Sequence, residues 1–513
     1  MNRVSVNRLN VFGFFVLILT SVLMVLSFGY ELKADSIILV AISFVLLNQT
    51  MVGRITYRSM VFIAACYIPI SWNYGHPNLT IMSALLETNP SESFEYFKDL
   101  NIVSVLVGIL FLMFALFAER VFPKFKSSRL AFIFFIVFIL LACSKPVRTI
   151  IKKDLTTDYA ATFFSNFRYS PISFIYDWYD SYNKYNIYSN EIMEQRNNKP
   201  TWTLLNTSSE KKNYILVVGE SVRKDYMNAY GFPLENTPFM SSANGMQWDH
   251  FLSPGPNTFT SVIRFLTLND GKNVQLNNNI ITLANMAGIE TYWLSNQGKM
   301  GVFDTGISAL AHYSDKTIFT KTGSFNDSNV YDSALLPHVK EALSSDANSK
   351  LIIVHLIGSH PLFCDRVEGN VEFDFSGDKI SCYVQSIKQT DNLLSSINDM
   401  AIDAGLPYSL IYLSDHGLGH RDNGRNLRHA PSTKESYEVP LFITGSDYTE
   451  KTVIENHRSG FHFIYALSSI MGIEAKELNT GYDFFGSQND PQKVNNGEGL
   501  MVDLQSLADD PIK

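Results

Sequence analysis

Five long apolar runs crowd the first 145 residues, and a bilayer is the solvent that accommodates them. They are about Val11 to Phe28, Ile37 to Leu47 with its flanks, Met60 to Trp72, Ile102 to Phe117, and Leu130 to Cys143. The first and fourth are long enough to cross roughly 30 Å of hydrocarbon, while the third and fifth need flanking residues to complete a span. A cleaved signal peptide would account for the first run, with Arg3 and Arg8 ahead of it, but not for the other four. The expectation is a transmembrane domain of five helices over residues 1–145.

Five spans put the two ends of that domain on opposite sides, and the cations choose between them. With the N-terminus cytoplasmic, the inner segments carry Arg3, Arg8, Arg54, Arg58, Arg120, Lys124, Lys126 and Arg129, whereas the first two outer loops carry only Lys33 and Lys98. Lys145, Arg148, Lys152 and Lys153 run against this bias. The polar remainder is expected outside the cytoplasm. In the second outer loop, His76 to Leu100 is acidic and reads as a short helix. Beyond the fifth run, Ala160 to Tyr185 is dense in Phe, Tyr and Trp, which fits helices lying at headgroup depth or packed on the soluble part. Asn186 to Ser209 is polar and loosely patterned, so residues 146–210 read as interfacial helices and a linker.

From Lys211 onward the pattern changes. Apolar strand-like runs at Tyr214 to Val218, Thr291 to Leu294, Leu351 to Val354 and Ser409 to Leu413 alternate with helical stretches. That alternation predicts an α/β domain over residues 211–513 with a mostly parallel central sheet. The net charge of −8 and the lack of a basic stripe exclude nucleic acid as a partner. Of four cysteines, Cys66 and Cys143 fall in apolar runs, and Cys364 and Cys382 are free to form a disulfide if the polar half is extracytoplasmic.

Each of the four strands ends in polar, reactive residues. Tyr214 to Val218 leads to Gly219-Glu220-Ser221, the second strand to Ser295-Asn296-Gln297, the third to His355 with Ser359-His360 close behind, and the fourth to Asp415-His416. In open α/β sheets the carboxyl edge is where ligands bind, so these side chains are placed to converge. One histidine or one Gly-Glu-Ser alone would be ordinary. Two carboxylates and an imidazole without a thiolate fit a catalytic Zn²⁺ with an open position, or Mn²⁺. Ser253 to Leu268 supplies a candidate for that position: a Gly/Pro turn feeds a helical pattern at Thr258, where backbone N–H groups favour a phosphate. Thr258 is read as a nucleophile activated by the cation, with an ordinary N-cap as the plainer alternative and Thr260 and Ser261 as local rivals.

The residues GESVRKDYMNAYGFPLENTP closely resemble the signature of the membrane-bound phosphoethanolamine transferases of the alkaline phosphatase/sulfatase superfamily. GSHP at Gly358 to Pro361 and SDHG at Ser414 to Gly417 resemble two further motifs in the same order. The resemblance covers nearly the whole chain and implies that Glu220, Asp415 and His416 hold Zn²⁺ with Thr258, the threonine of a Thr-x-Thr before a helix. It implies substrate-binding and proton-transfer roles for His360 and His429, and headgroup-phosphate contacts for Asn296 and Lys299, with His355 on the substrate side of the same group. Thr88 and Asn89, in LLETNP, match the segment that approaches the lipid. The chain departs from the family in having Pro256-Asn257, not Cys-Gly, before the threonine, and Arg264-Phe265-Leu266 after it.

The implied enzyme is a multi-pass protein of the bacterial inner membrane with a periplasmic catalytic domain. It takes phosphoethanolamine from phosphatidylethanolamine and gives it to an envelope glycan, with lipopolysaccharide lipid A or core the first expectation. A phosphoglycerol transferase of lipoteichoic-acid-synthase type, or an inactive membrane scaffold, are the alternatives. A sulfatase would need a Cys or Ser in the Cys/Ser-x-Pro-x-Arg setting, and none lies near Thr258.

Overall fold

The structure is a computed structural model, and it describes residues 2–87, 101–125, 127–152, 158–298, 306–321 and 330–512. These form two compact units, one holding the helices before Asn186 and the other the chain from Ile187 onward.

In the first unit the five apolar runs lie on helices Asn2–Ser27, Ala34–Leu47, Met51–Tyr74, Ile102–Ala118 and Ser128–Lys152. Among the described residues only Ser128–Lys152 is by itself long and apolar enough to cross a membrane, and the apolar parts of the others are shorter. Close packing is set by small residues: a side chain at Gly108 would meet Ala65 O at 2.7 Å, so the helices carrying them approach backbone to backbone. Tyr57 donates to Ala115 O at 2.8 Å, and Arg58 forks onto the buried Glu119 carboxylate at 2.8 and 3.1 Å. The outward faces are apolar, with Leu110, Phe132 and Leu140 exposed. Between the third and fourth of these helices, Leu79–Glu87 is helical. Helix Ser170–Arg196 runs on through the first part of the expected linker, and Leu204–Thr207 pairs with Ile473–Ala475 as a small ribbon. The linker is therefore shorter than the sequence suggests, because polar residues of good helix propensity carry the helix onward.

The second unit is built on one eight-stranded sheet. Its order is Lys451–Ile454, Gly245–Trp248, Leu441–Gly445, Tyr408–Ser414, Asn213–Gly219, Lys350–His355, Glu290–Gly298 and Lys316–Lys321. Only Leu441–Gly445 runs against the rest, so the sheet is mixed but mostly parallel. The four strands read from sequence are its centre, and the flanking four were too short or too polar to stand out.

Alternation along the central strands feeds two cores. Ile215, Val217, Ile352 and Val354 face the long helix Asp378–Asp403, while Leu216, Val218, Leu351 and Ile353 face helices Thr258–Leu266 and Phe463–Ile470. Burial on both faces is why these strands are continuous apolar runs. Cys364 and Cys382 form a disulfide that fastens the loop after the Lys350–His355 strand to the long helix.

Candidate metal centre and nucleophile

The parallel pairing of Gly219 with Ser414 brings two strand ends side by side. Glu220 and Asp415, the next residue on each, are thereby neighbours, and Asp415 N donates to Gly219 O at 3.0 Å. The turn after Glu220 is tight. Ser221 is held at φ 63°, a left-handed conformation that a serine adopts only when its surroundings demand it. Its N–H donates to Asp415 Oδ1 at 3.1 Å, its hydroxyl to Glu220 Oε1 at 2.6 Å, and its carbonyl accepts Tyr383 OH at 2.8 Å.

His416 Nδ1 is 2.8 Å from Gly417 O, a contact that requires the proton on Nδ1. Nε2 then faces the carboxylates, 3.2 Å from Glu220 Oε1 and 3.6 Å from Asp415 Oδ2. Thr258 opens its helix beside them and donates its hydroxyl to Glu220 Oε2 at 2.8 Å. Ser253 Oγ hydrogen-bonds Asp415 O and so ties the loop before Thr258 to the loop that carries Asp415 and His416.

This cluster fits a divalent cation. Ligand atoms of Glu220, Asp415 and His416 all lie within 4.8 Å of one another. All three residues are buried, and neither Asp415 Oδ2 nor His416 Nε2 has a hydrogen-bond partner. Charges buried in this way are costly without a counter-charge, and orphaned lone pairs that face each other are what a metal satisfies. With the Thr258 hydroxyl the donor set numbers four, as tetrahedral zinc requires. In the metal-free protein the strain shows in the titrations. Burial and the Glu220 charge push Asp415 up to about 8. Burial opposes the charge on His416, but Asp415 and Glu220 outweigh it and raise His416 to about 9. Glu220 is buried too, yet the adjacent imidazolium holds it well below the usual carboxylate range.

The two histidines expected to handle protons are close by. The His429 ring lies 4.8 Å from that of His416, its Nδ1 faces Pro256 O at 3.4 Å, and burial with the His416 charge holds it down to about 3. His360 comes directly after Gly358 and Ser359, and Ser359 N donates to Glu220 O at 3.0 Å. Gly358 has φ +48°, and a side chain there would meet Glu220 N at 2.9 Å. The charge of His360 is felt by both Glu220 and His429.

Other expected contacts fall elsewhere. His355 is sealed from solvent, with Nδ1 3.3 Å from Ser295 Oγ, and burial lowers it to about 4. It supports the sheet edge and offers no open face to a substrate. Asn296 is also buried and its amide is fully engaged: Nδ2 donates to Val330 O and Asp332 Oδ1 at 2.8 Å each, and Oδ1 accepts Thr320 Oγ1 at 2.5 Å. In this conformation it has nothing left for a headgroup. Lys299, Thr88 and Asn89 lie outside the described residues.

Three contributors were given no role from the sequence. Gln297 Nε2 donates to Glu220 Oε2 at 3.2 Å and Leu356 O at 2.9 Å. The pleat signals it, since residues two apart share a face and Asn296 must point the other way. Asp332, half-buried, accepts Ile357 N and Gly358 N at 2.9 Å each and so fixes the His360 loop. Arg223, also buried, binds Asp225, Leu418 O and both the carboxylate and carbonyl of Asp510. It thereby clamps the segment after His416 against the C-terminal tail.

A mixed α/β sheet with carboxylates, an imidazole and a threonine gathered at its strand ends defines a sulfatase-type domain, and a family model described as Sulfatase matches residues 212–473. Phosphoethanolamine transferase OpgE of Escherichia coli is 33% identical over 474 residues, covering 87% of this chain and 86% of that protein. Phosphoethanolamine transferase EptC of the same organism is 25% identical over 456 residues, covering 82% and 78%. The integral membrane lipooligosaccharide phosphoethanolamine transferase A of Neisseria meningitidis shares the fold with a TM-score of 0.61 at 17% identity, over 90% of this chain and 96% of that one. The periplasmic domain of E. coli EptC, solved as a complex with Zn, has a TM-score of 0.53 at 22% identity, over 60% and 96%. The chain belongs to the phosphoethanolamine transferase family of the alkaline phosphatase superfamily.

Proposed function

We propose that the protein moves phosphoethanolamine from phosphatidylethanolamine to an envelope glycan by way of a phosphoethanolamine-threonine ester on Thr258. The observation that carries this reading is the 2.8 Å contact of Thr258 Oγ1 with Glu220 Oε2, beside Asp415 and His416, in a chain of this family. Glu220, Asp415, His416 and Thr258 would hold the cation, zinc before manganese because the set is small and includes an imidazole. When bound, that ion supplies the Lewis acidity that makes the threonine hydroxyl a nucleophile near neutral pH.

Thr258 Oγ loses its proton to solvent and attacks the phosphorus, the bond to the diacylglycerol oxygen breaks, and one of His360 and His429, protonated, passes its proton to the departing oxygen. In the second half, the same histidine takes the proton of an acceptor hydroxyl as that oxygen attacks the phosphorus, the bond to Thr258 breaks, and Thr258 Oγ regains a proton from solvent. Gln297 and Ser221 hold the Glu220 carboxylate in register throughout.

The apolar outward faces of the N-terminal helices support a multi-pass protein of the inner membrane, with five spans and the catalytic domain on the periplasmic side. A diacyl donor suits such an enzyme, since its scissile phosphodiester lies at headgroup depth. The test is to incubate the purified full-length protein with labelled phosphatidylethanolamine and, separately, phosphatidylglycerol. Diacylglycerol release from the first alone is expected, and release from the second alone would replace this reading with phosphoglycerol transfer. Mass spectrometry of envelope glycans with and without the protein then identifies the acceptor by an added phosphoethanolamine.

A further inference from the structure

The residue before the nucleophile carries a donor that the fold leaves unused. Asn257 is the N-cap of helix Thr258–Leu266, and its Oδ1 accepts Thr260 N at 3.0 Å and Thr260 Oγ1 at 2.8 Å. With Oδ1 fixed in this way the amide cannot flip, and its NH₂ is held on the other limb of the amide plane. Asn257 is only 8% exposed, and Nδ2 is buried without a hydrogen-bond partner. Capping does not explain the choice of an amide, because Ser or Asp caps a helix as well as Asn and leaves no orphaned donor. A buried N–H₂ without an acceptor is unfavourable, so a group that arrives with an acceptor is held the more firmly for it.

We propose that Asn257 Nδ2 donates to a non-bridging oxygen of the phosphoryl group during its transfer to and from Thr258, acting beside the Thr258 N–H. That N–H occupies the first helical position and has no intrahelical acceptor, so the two donors and the helix dipole act together on one anion. The charge on the phosphoryl oxygens is redistributed as the bond to Thr258 forms, and a fixed donor there stabilises the transition state without reorganising. The inference rests on Thr258 as the nucleophile.

The experiment compares full-length wild type, Thr258→Ala, Asn257→Ser and Asn257→Asp in vesicles containing phosphatidylethanolamine, reading diacylglycerol release, bound zinc and Tm. Asn257→Ser keeps the cap and removes the NH₂, so zinc content and Tm should hold while turnover falls about 100-fold. Asn257→Asp also keeps the cap but opposes the phosphate with a charge, and should fall further. Turnover of Asn257→Ser within about threefold of wild type overturns the proposal. Should Asn257→Ser lose zinc or stability, Asn257→Thr, which also caps and carries no NH₂ or charge, takes its place: turnover within about threefold of wild type overturns the proposal and a fall of about 100-fold with zinc retained upholds it. A wild type that releases no diacylglycerol, or an active Thr258→Ala, instead removes the nucleophile assignment on which the proposal rests.

Discussion

Thr258 and Glu220, 38 residues apart in the chain, share one short hydrogen bond: the threonine hydroxyl donates to Glu220 Oε2 at 2.8 Å. The carboxylate is already fixed on its other oxygen by Ser221, so the hydroxyl is the mobile partner and the one available for chemistry.

Thr258→Ala should therefore reduce transfer by at least about 10³-fold, because no neighbouring group can replace a covalent nucleophile. Glu220, Asp415 and His416 remain, so zinc should stay at least partly bound. Diacylglycerol release and elemental analysis on the same preparation check both halves, and undiminished turnover would exclude Thr258 in favour of Thr260 or Ser261.

Metal loading should release protons and strengthen with pH. In the metal-free protein Asp415 and His416 sit near 8 and 9, so at pH 7 both are largely protonated, and the cation must displace roughly one to two protons. Both folded values lie above the unfolded ones, so the stability these two groups contribute to the metal-free protein is lost as pH rises through about 8 and 9, while the loaded protein is spared. The gap in Tm between loaded and chelator-stripped protein should widen from pH 6 to pH 9. Calorimetry in buffers of different ionisation heat measures the protons directly, and proton-free binding at pH 7 would contradict the scheme.

Asp332→Ala should destabilise the catalytic domain by about 3 kcal/mol, because it leaves the Ile357 and Gly358 N–H groups buried and unanswered. Asn296→Ala removes the donor that holds Asp332 and should cost about 1–2 kcal/mol. Thermal melts of both variants test this. If Asn296 instead acts only on the headgroup, its variant would keep a wild-type Tm and show a raised KM.

Replacing Cys364 and Cys382 together by Ser should cost about 3 kcal/mol, the loop-closure value for a separation of 18 residues. Zinc content should be unchanged, since neither cysteine belongs to the cluster that gathers the ligand atoms. Denaturant melts with and without reductant give the comparison, and free-thiol labelling of both cysteines in protein from the envelope would rule the bridge out there.

The parts legible in the sequence were those set by local pattern. Continuous apolar strands such as Tyr214 to Val218 announce burial on both faces, and the residues directly after each strand must lie at the sheet edge. Glu220, Asp415 and His416 were reached in that way, and Thr258 through its Gly/Pro turn. The edge strands were not legible: Lys316–Lys321 is half polar because one side of it meets solvent. Asn296 is turned inward to Asp332, an engagement that its place at a strand end does not announce.

The order of residues by itself pointed to an apolar N-terminal part, to the central strands of the sheet and to the residue types at their ends, because hydrophobic period and residue type are properties of short segments. Only the tertiary structure decided which side chains face one another. Parallel pairing of Gly219 with Ser414 sets Glu220 against Asp415, and a single φ at Ser221 turns the chain back onto that carboxylate. Which polar groups are satisfied and which, like Asn257 Nδ2, are left for a ligand depends on distances between segments far apart in the chain, and local patterns carry no record of these.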